Sequence, residues 1–302
     1  MKLLGTGSYV PPIILKNEEL EQRVDTTAKW IEENLGIMER RIAGPNQNTA
    51  DLATYAGYEA IENSGVSVRN IDLLIVATAT PDRKAPSTAC SIQARLGVCN
   101  AVAFDVNAVC SGFLYGMSIA DAYLCMGLYD YALIIGVDVF SRITDWNQRD
   151  CVFFGDGAGA AVFGGEYFGS GDRFTSKLYS DGSGSEGFTA GDFFKMDKRA
   201  VYDAAVTHLP KAIERVLHET GLTIDDIDMM IPHQPSIRVL KETAKRIGLP
   251  WDKVKTNMDR YANTAAATIP ILLDEVRPPK GSKVLFAAMG SGWTYGAAIL
   301  EI

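Results

Sequence analysis

The chain offers little that could hold a metal. It has three histidines, His208, His218 and His233, and five cysteines, Cys90, Cys99, Cys110, Cys125 and Cys151. The cysteine number is odd and the spacing fits no zinc pattern, so neither a disulfide framework nor a Cys/His metal centre is expected. This usage reads as a reduced, cytoplasmic protein whose cysteines are mostly small buried hydrophobes. Positive charge is also scarce: 29 Lys and Arg stand against 37 Asp and Glu, a net charge of −8. With no general basic field to offset phosphate, nucleic acid is not expected as a partner, and an anionic substrate would need a local basic patch. No run approaches the roughly 18 consecutive apolar residues of a membrane helix, so no membrane partner is expected. The opening MKLLGTGSYVPP lacks the apolar core and cleavage site of a signal peptide and reads as a first β-strand.

What remains is the composition of an ordinary soluble globular protein, 47% hydrophobic and 22% charged, with 302 residues allowing one large domain or two ordinary ones. Helical and strand-like runs alternate: helix at 51–63, strand at 73–79, helix at 87–97, strand at 101–106, helix at 111–126, strand at 131–137. Such alternation predicts an α/β fold with a buried sheet. GVSVRNIDLLIV at 65–76 is echoed by GLTIDDIDMMIP at 221–232, and GDGAGAAVF at 155–163 by GSGWTYGAAIL at 290–300. Two similar halves are expected, 1–164 and 165–302, joined by a loop within the Gly-, Ser- and Asp-rich stretch 164–192.

Cys110 lies between the strand and the helix of AVAFDVNAVCSGFLYG. A helix N-terminus presents free N–H groups and partial positive charge, so the thiol pKa is expected to fall below that of a free cysteine. The same N–H groups could hold an oxyanion, and Gly112 would leave room for a substrate chain. The other cysteines read as filler: Cys90 and Cys125 within helices, Cys99 at a turn, Cys151 entering a strand. His208 and His218 fall within a helix at 201–220, whereas His233 directly follows the strand MMIP, at the strand end where α/β sheets place ligands. Asn263, amid small residues in RYANTAAATIP, is either a helix cap or a site group. GSGW at 290–293 could supply oxyanion N–H groups. The run from Gly155 to Ala160 formally fits a dinucleotide fingerprint but leads into a strand rather than a helix, so a nicotinamide cofactor is rejected.

Together, DVNAVCSGFLYG, IPHQPSIRVL, ANTAAATIP, FGDGAGAAVF and MGSGWTYGAAIL resemble the β-ketoacyl-acyl carrier protein synthase III family of the thiolase superfamily, over nearly the whole chain. The resemblance implies a thiolase-like fold of two pseudo-repeated halves in a five-layer αβαβα arrangement, acting as a cytoplasmic homodimer without metal or redox cofactor. It implies that Cys110, His233 and Asn263 are the catalytic triad. Cys110 would attack an acyl-CoA, with the N–H groups of Cys110 and Gly292 holding the oxyanion. A malonyl thioester, with acyl carrier protein as its carrier, would then decarboxylate and condense. Trp30 and Arg149 match a pair that clamps the adenine of CoA, and Thr26 matches another CoA contact. Arg238 matches a carrier-docking arginine, with Lys241 and Lys245 at helical spacing on the same face.

The chain departs from the family in several places. HQPS stands where His-Gln-Ala-Asn is usual, Asn34 replaces a second basic CoA contact, and Lys198 and Arg199 replace a Gly-Asn or Gly-Arg pair near the tunnel mouth. Ala85 takes the place of a large residue that closes the acyl pocket across the dimer, and Phe140 fills a nearby pocket position, so an acyl specificity different from a plain acetyl starter is expected. Elongating synthases use Cys-His-His, and degradative thiolases need a second cysteine in the C-terminal Gly-rich loop; neither pattern is present. Transfer of the acyl group to an alcohol or amine stays open as the alternative reaction, and a non-catalytic partner subunit as a third class.

Overall fold

The structure is a computed structural model, and its described residues are 1–165 and 174–302. The chain opens with β1 (Lys2–Tyr9). A ribbon of β2 (Ile13–Lys16) and β3 (Glu39–Ile42) encloses two short helices, α1 (Asn17–Leu20) and α2 (Ala28–Leu35). Then come α3 (Thr49–Ser64), β4 (Leu73–Ala77), α4 (Thr88–Leu96), β5 (Val102–Val106), α5 (Gly112–Cys125), β6 (Tyr131–Asp138) and β7 (Gly157–Gly164). Beyond these lie β8 (Phe174–Ser180), a hairpin of β9 (Phe188–Ala190) and β10 (Phe194–Met196), and α6 (Lys198–Thr220). The chain finishes with β11 (Met229–Pro232), α7 (Ile237–Ile247), α8 (Met258–Tyr261), α9 (Thr268–Val276), β12 (Lys283–Gly290) and β13 (Thr294–Glu301).

Two mixed sheets result, one ordered β1-β7-β6-β4-β5 and the other β11-β12-β13-β8. In the first, β4 runs parallel to β6, which is antiparallel to β7, which is antiparallel to β1. In the second, β11, β12, β13 and β8 repeat that order with the same directions. The segments that match in sequence, 65–76 and 221–232, end on β4 and β11 in equivalent positions.

Layering follows from where apolar side chains can be buried. β4 is buried at every residue, as a central strand covered on both faces must be. α5 and α9 lie between the sheets, where Phe113, Met117, Ile269 and Leu273 share one core with Ile75, Ile134, Val284 and Phe286. α3 and α4 cover the outer face of the first sheet and α6 that of the second, with α7 against α6. This is the expected five-layer αβαβα, thiolase-like arrangement. The leading turn of α9 presses so closely on β6 that a Cβ on Gly136 would stand 2.1 Å from the Ala266 carbonyl oxygen, so only glycine fits there.

Local punctuation explains the element ends. Ser87 caps α4 by accepting from the Cys90 N–H, and Gly97 closes it in the left-handed region. Asp197 caps α6, which therefore starts three residues before the predicted 201. The stretch 164–192 is not one loop: it holds β8 and β9, and residues 166–173 of it lie outside the described residues. The cysteine expectations also need correction. Cys90, Cys99 and Cys125 are exposed, while Cys151 is buried in a 3₁₀ turn at Arg149–Val152 rather than entering a strand. No helix of the described residues is long and apolar enough to cross a membrane.

Candidate active site

Cys110 sits at the centre of a 3₁₀ turn, Val109–Ser111, between β5 and α5. Val109 holds φ at +47°, a region a β-branched residue rarely adopts, and that strain costs about 1–3 kcal/mol. Surrounding contacts hold the turn in place. Ser111 Oγ donates to the Thr294 carbonyl at 2.9 Å, and Thr294 Oγ1 to the Ala108 carbonyl at 3.0 Å. A Cβ on Gly290 would lie 2.6 Å from the Ala108 oxygen and 3.0 Å from the Cys110 nitrogen, so this glycine lets the Gly-rich loop abut the nucleophile.

His233 follows β11 directly and is 3% exposed, its backbone N–H bonded to Ala287 at 2.9 Å. Gln234 fixes the strand end: its oxygen accepts from the Asn257 and Met258 N–H groups at 2.9 Å, and its amide donates to Asn257 Oδ1 at 2.8 Å. Asn263 is held by backbone bonds on both sides, its N–H to the Phe153 carbonyl at 3.1 Å and its carbonyl to the Gly155 N–H at 3.1 Å. Asn263 Oδ1 accepts from the Ala265 N–H at 2.9 Å and faces His233 Nε2 at 3.1 Å. An acceptor at that place requires the hydrogen on Nε2, which leaves Nδ1 as the bare nitrogen, and among the described residues Nδ1 is buried without a partner. The Asn263 side chain also pulls the Cys110 thiol down in pKa. Asn263 thus lines the cavity beside the other two residues, while its oxygen also accepts from the turn that follows it.

The electrostatics overturn one expectation. Burial, and then the Asp138 carboxylate, push the Cys110 thiol up, outweighing the pull of its own backbone N–H and Asn263. The helix end does not lower this pKa. Burial holds His233 down at about 4, so the imidazole is neutral at physiological pH. The resting pair is a neutral thiol and a neutral imidazole.

All three side chains line one cavity of about 260 Å³. Its wall near Cys110 includes Gly290, Ser291 and Trp293, the loop that carries Gly292. Among the described residues neither the Ser291 nor the Gly292 N–H has an acceptor. Trp30, Asn34, Lys198 and Arg238 also line the cavity. Arg149 stacks on Trp30 at 4.3 Å from guanidinium to ring centre, so the structure brings that pair together. The Thr26 hydroxyl, near the start of the same helix, is buried without a partner. Arg238, Lys241 and Lys245 project from the exposed face of α7, with Lys241 5.8 Å from the Trp251 ring centre.

Neither Ala85, expected to act across a dimer, nor Phe140 lines the cavity directly. Ala85 is exposed and does not line the cavity of its own chain. Phe140 is fully buried one layer behind the wall, stacked on Phe154 at 4.3 Å. The wall itself is Phe154 and Phe188, backed by Phe140 and Phe194. Sequence reasoning missed Phe188 because its Gly- and Ser-rich neighbours read as loop. The signal was the pair of phenylalanines at 188 and 194 flanking a Gly-Asp turn. His208 stacks on Tyr295 at 4.3 Å and is not part of the cavity wall.

Comparison with known proteins agrees with this geometry. Residues 217–302 match the family model described as 3-oxoacyl-[acyl-carrier-protein (ACP)] synthase III C terminal, and residues 104–182 match 3-oxoacyl-[acyl-carrier-protein (ACP)] synthase III. A β-ketoacyl-[acyl-carrier-protein] synthase III of Sphingopyxis alaskensis is 45% identical over 316 residues, covering 99% of this chain and 98% of the relative. One from Geobacillus kaustophilus is 42% identical over 304 residues, with 99% and 98% covered. The crystal structure of 3-oxoacyl-[acyl-carrier-protein] synthase III from Aquifex aeolicus matches with a TM-score of 0.96 and 37% identity, over 100% of this chain and 99% of that one. The chain belongs to the β-ketoacyl-[acyl-carrier-protein] synthase III family.

Proposed function

We propose that Cys110 takes an acyl group from an acyl-CoA and that the resulting thioester condenses with a malonyl thioester to give a β-ketoacyl thioester and carbon dioxide. The observation that carries this reading is the convergence of Cys110, His233 and Asn263 on one cavity, with Asn263 bonded to His233. In the first step the Cys110 sulfur bonds to the acyl carbon, the CoA sulfur leaves, and the thiol proton ends on it. The N–H groups of Cys110 and Gly292 would hold the oxyanion. In the second, acylation frees the Asn263 amide, which together with the His233 Nε2–H donates to the malonyl thioester oxygen. A neutral imidazole suits that role, because it donates without having to lose a proton. Loss of carbon dioxide leaves an enolate whose carbon attacks the acyl carbonyl. The Cys110 thiolate departs and takes a proton from solvent. No step moves electrons to a redox cofactor or calls for a metal.

Trp30 and Arg149 would clamp the adenine of CoA, with Thr26 beside them, and the basic face of α7 would receive an acidic acyl carrier protein. β5 is the end strand of its sheet, so its free edge could pair with a second copy in a homodimer, which would bring a partner loop bearing Ala85 toward the acyl pocket. Exposure to acetyl-CoA followed by intact mass measurement should show one added acetyl group. The Cys110→Ala variant should show none, and a persisting label would refute the role of Cys110.

A further inference from the structure

The mouth of the cavity contains an ion pair that the reaction scheme does not use. Lys198 lines the cavity as the first residue of α6, and its Nζ donates to Asp150 Oδ1 at 2.7 Å. Asp150 directly follows Arg149, the residue stacked on Trp30. Asn34, on the same helix as Trp30, carries no charge, and its amide is turned back to the Trp30 carbonyl at 2.7 Å. A donor held by the Trp30–Arg149 stack would therefore bring its phosphates to a place where one nearby side chain is a carboxylate and another is neutral. Lys198 is the cation that lies against that carboxylate and faces the cavity.

We infer that Lys198 is a phosphate contact for the CoA donor, supplying the charge that Asn34 does not. The inference rests on the acyl-CoA reading above. The Lys198 side chain is 53% exposed and that of Asp150 24%. Pairs this open to water contribute only about 0–1 kcal/mol, so exchange of partner costs little. A phosphate offers more charge and more acceptor oxygens than one carboxylate, and charge-assisted bonds to it are stronger. Even while sharing Asp150, the ammonium cancels a negative charge that would otherwise repel the ligand beside Arg149.

The test measures acylation of Cys110 by intact mass as donor concentration is varied, with acetyl-CoA, acetyl-dephospho-CoA and acetyl-pantetheine. Acetyl-pantetheine lacks every phosphate, and the dephospho donor separates the ribose phosphate from the pyrophosphate. Lys198→Ala should raise half-saturating acetyl-CoA by about 5- to 10-fold, a loss on the order of 1 kcal/mol. Its effect on acetyl-pantetheine should be much smaller, and Lys198→Arg should restore most of the acetyl-CoA affinity. Equal shifts for the two donors, or no shift for either, would overturn the assignment while leaving the acyl-CoA reading intact. Failure of the wild-type protein to be labelled by acyl-CoA donors of any chain length would overturn both.

Discussion

At Cys110 two influences oppose each other, and the local sequence shows only one of them. A turn leading into a helix predicts a lowered thiol pKa, but burial and Asp138 push it up. Burial is a property of the whole assembly, so the direction could not be read from AVCSG. His233 was legible as a strand-end histidine, but its neutrality was not, for the same reason. Its pKa falls from 6.5 to about 4 on folding. Between those values the unfolded chain binds more protons, so stability falls as pH falls through this window, by at most ~3 kcal/mol once pH is below 4. A His233→Asn variant lacks that slope. Denaturant titrations from pH 7 to 4 should therefore show the wild type losing stability relative to the variant. Asp138, raised to about 6, contributes the opposite slope in both proteins and cancels in the difference. A difference that does not change with pH would contradict a buried neutral imidazole.

Among the elements, β4, β5, β6, α4 and α5 were placed to within a few residues by their apolar runs, with a Ser and a Gly bounding α4. The β9–β10 hairpin was hidden, because Gly, Ser and Asp signal loop whether or not two phenylalanines anchor the strands in a core. The tie between β6 and the Asn263 turn was equally invisible, since it depends on residues 128 apart in sequence. Asp138, at the end of β6, accepts through Oδ1 from Thr78 Oγ1 and from the N–H and hydroxyl of Thr80 and the N–H of Ala79. Among the described residues its Oδ2 accepts only from the Ala266 N–H, at 3.1 Å. An Asp138→Asn variant can keep the first set by presenting its oxygen there, but its NH₂ then meets the Ala266 N–H, donor against donor. The expected cost is about 1–3 kcal/mol in stability. Because the released turn carries Asn263, condensation should slow more than acylation. Equal slowing of both steps, measured by single-turnover kinetics, would count against this coupling.

For the molecule as a whole, the internal repeat in the sequence points to the recurrence seen in the sheets, four strands in the same order and directions. The cavity draws on residues from both stretches: Cys110 and Trp30 come from before residue 165, and His233, Asn263, Lys198 and Arg238 from after it. Motifs legible one at a time in the sequence become a site only through this packing, which is why Asn263 alone stayed ambiguous between cap and catalyst. The aromatic wall of Phe154 and Phe188 had no such motif and emerged only from the fold. In the proposed reaction the thioester on Cys110 is consumed by carbon–carbon bond formation. The most direct measurement loads the protein with acetyl-CoA, removes free donor, and adds malonyl-acyl carrier protein while following intact mass and carbon dioxide together. The predicted result is loss of the acetyl adduct with one equivalent of carbon dioxide and one β-ketoacyl-carrier product per adduct. An adduct that persists, or that leaves for an alcohol or amine without release of carbon dioxide, would contradict it.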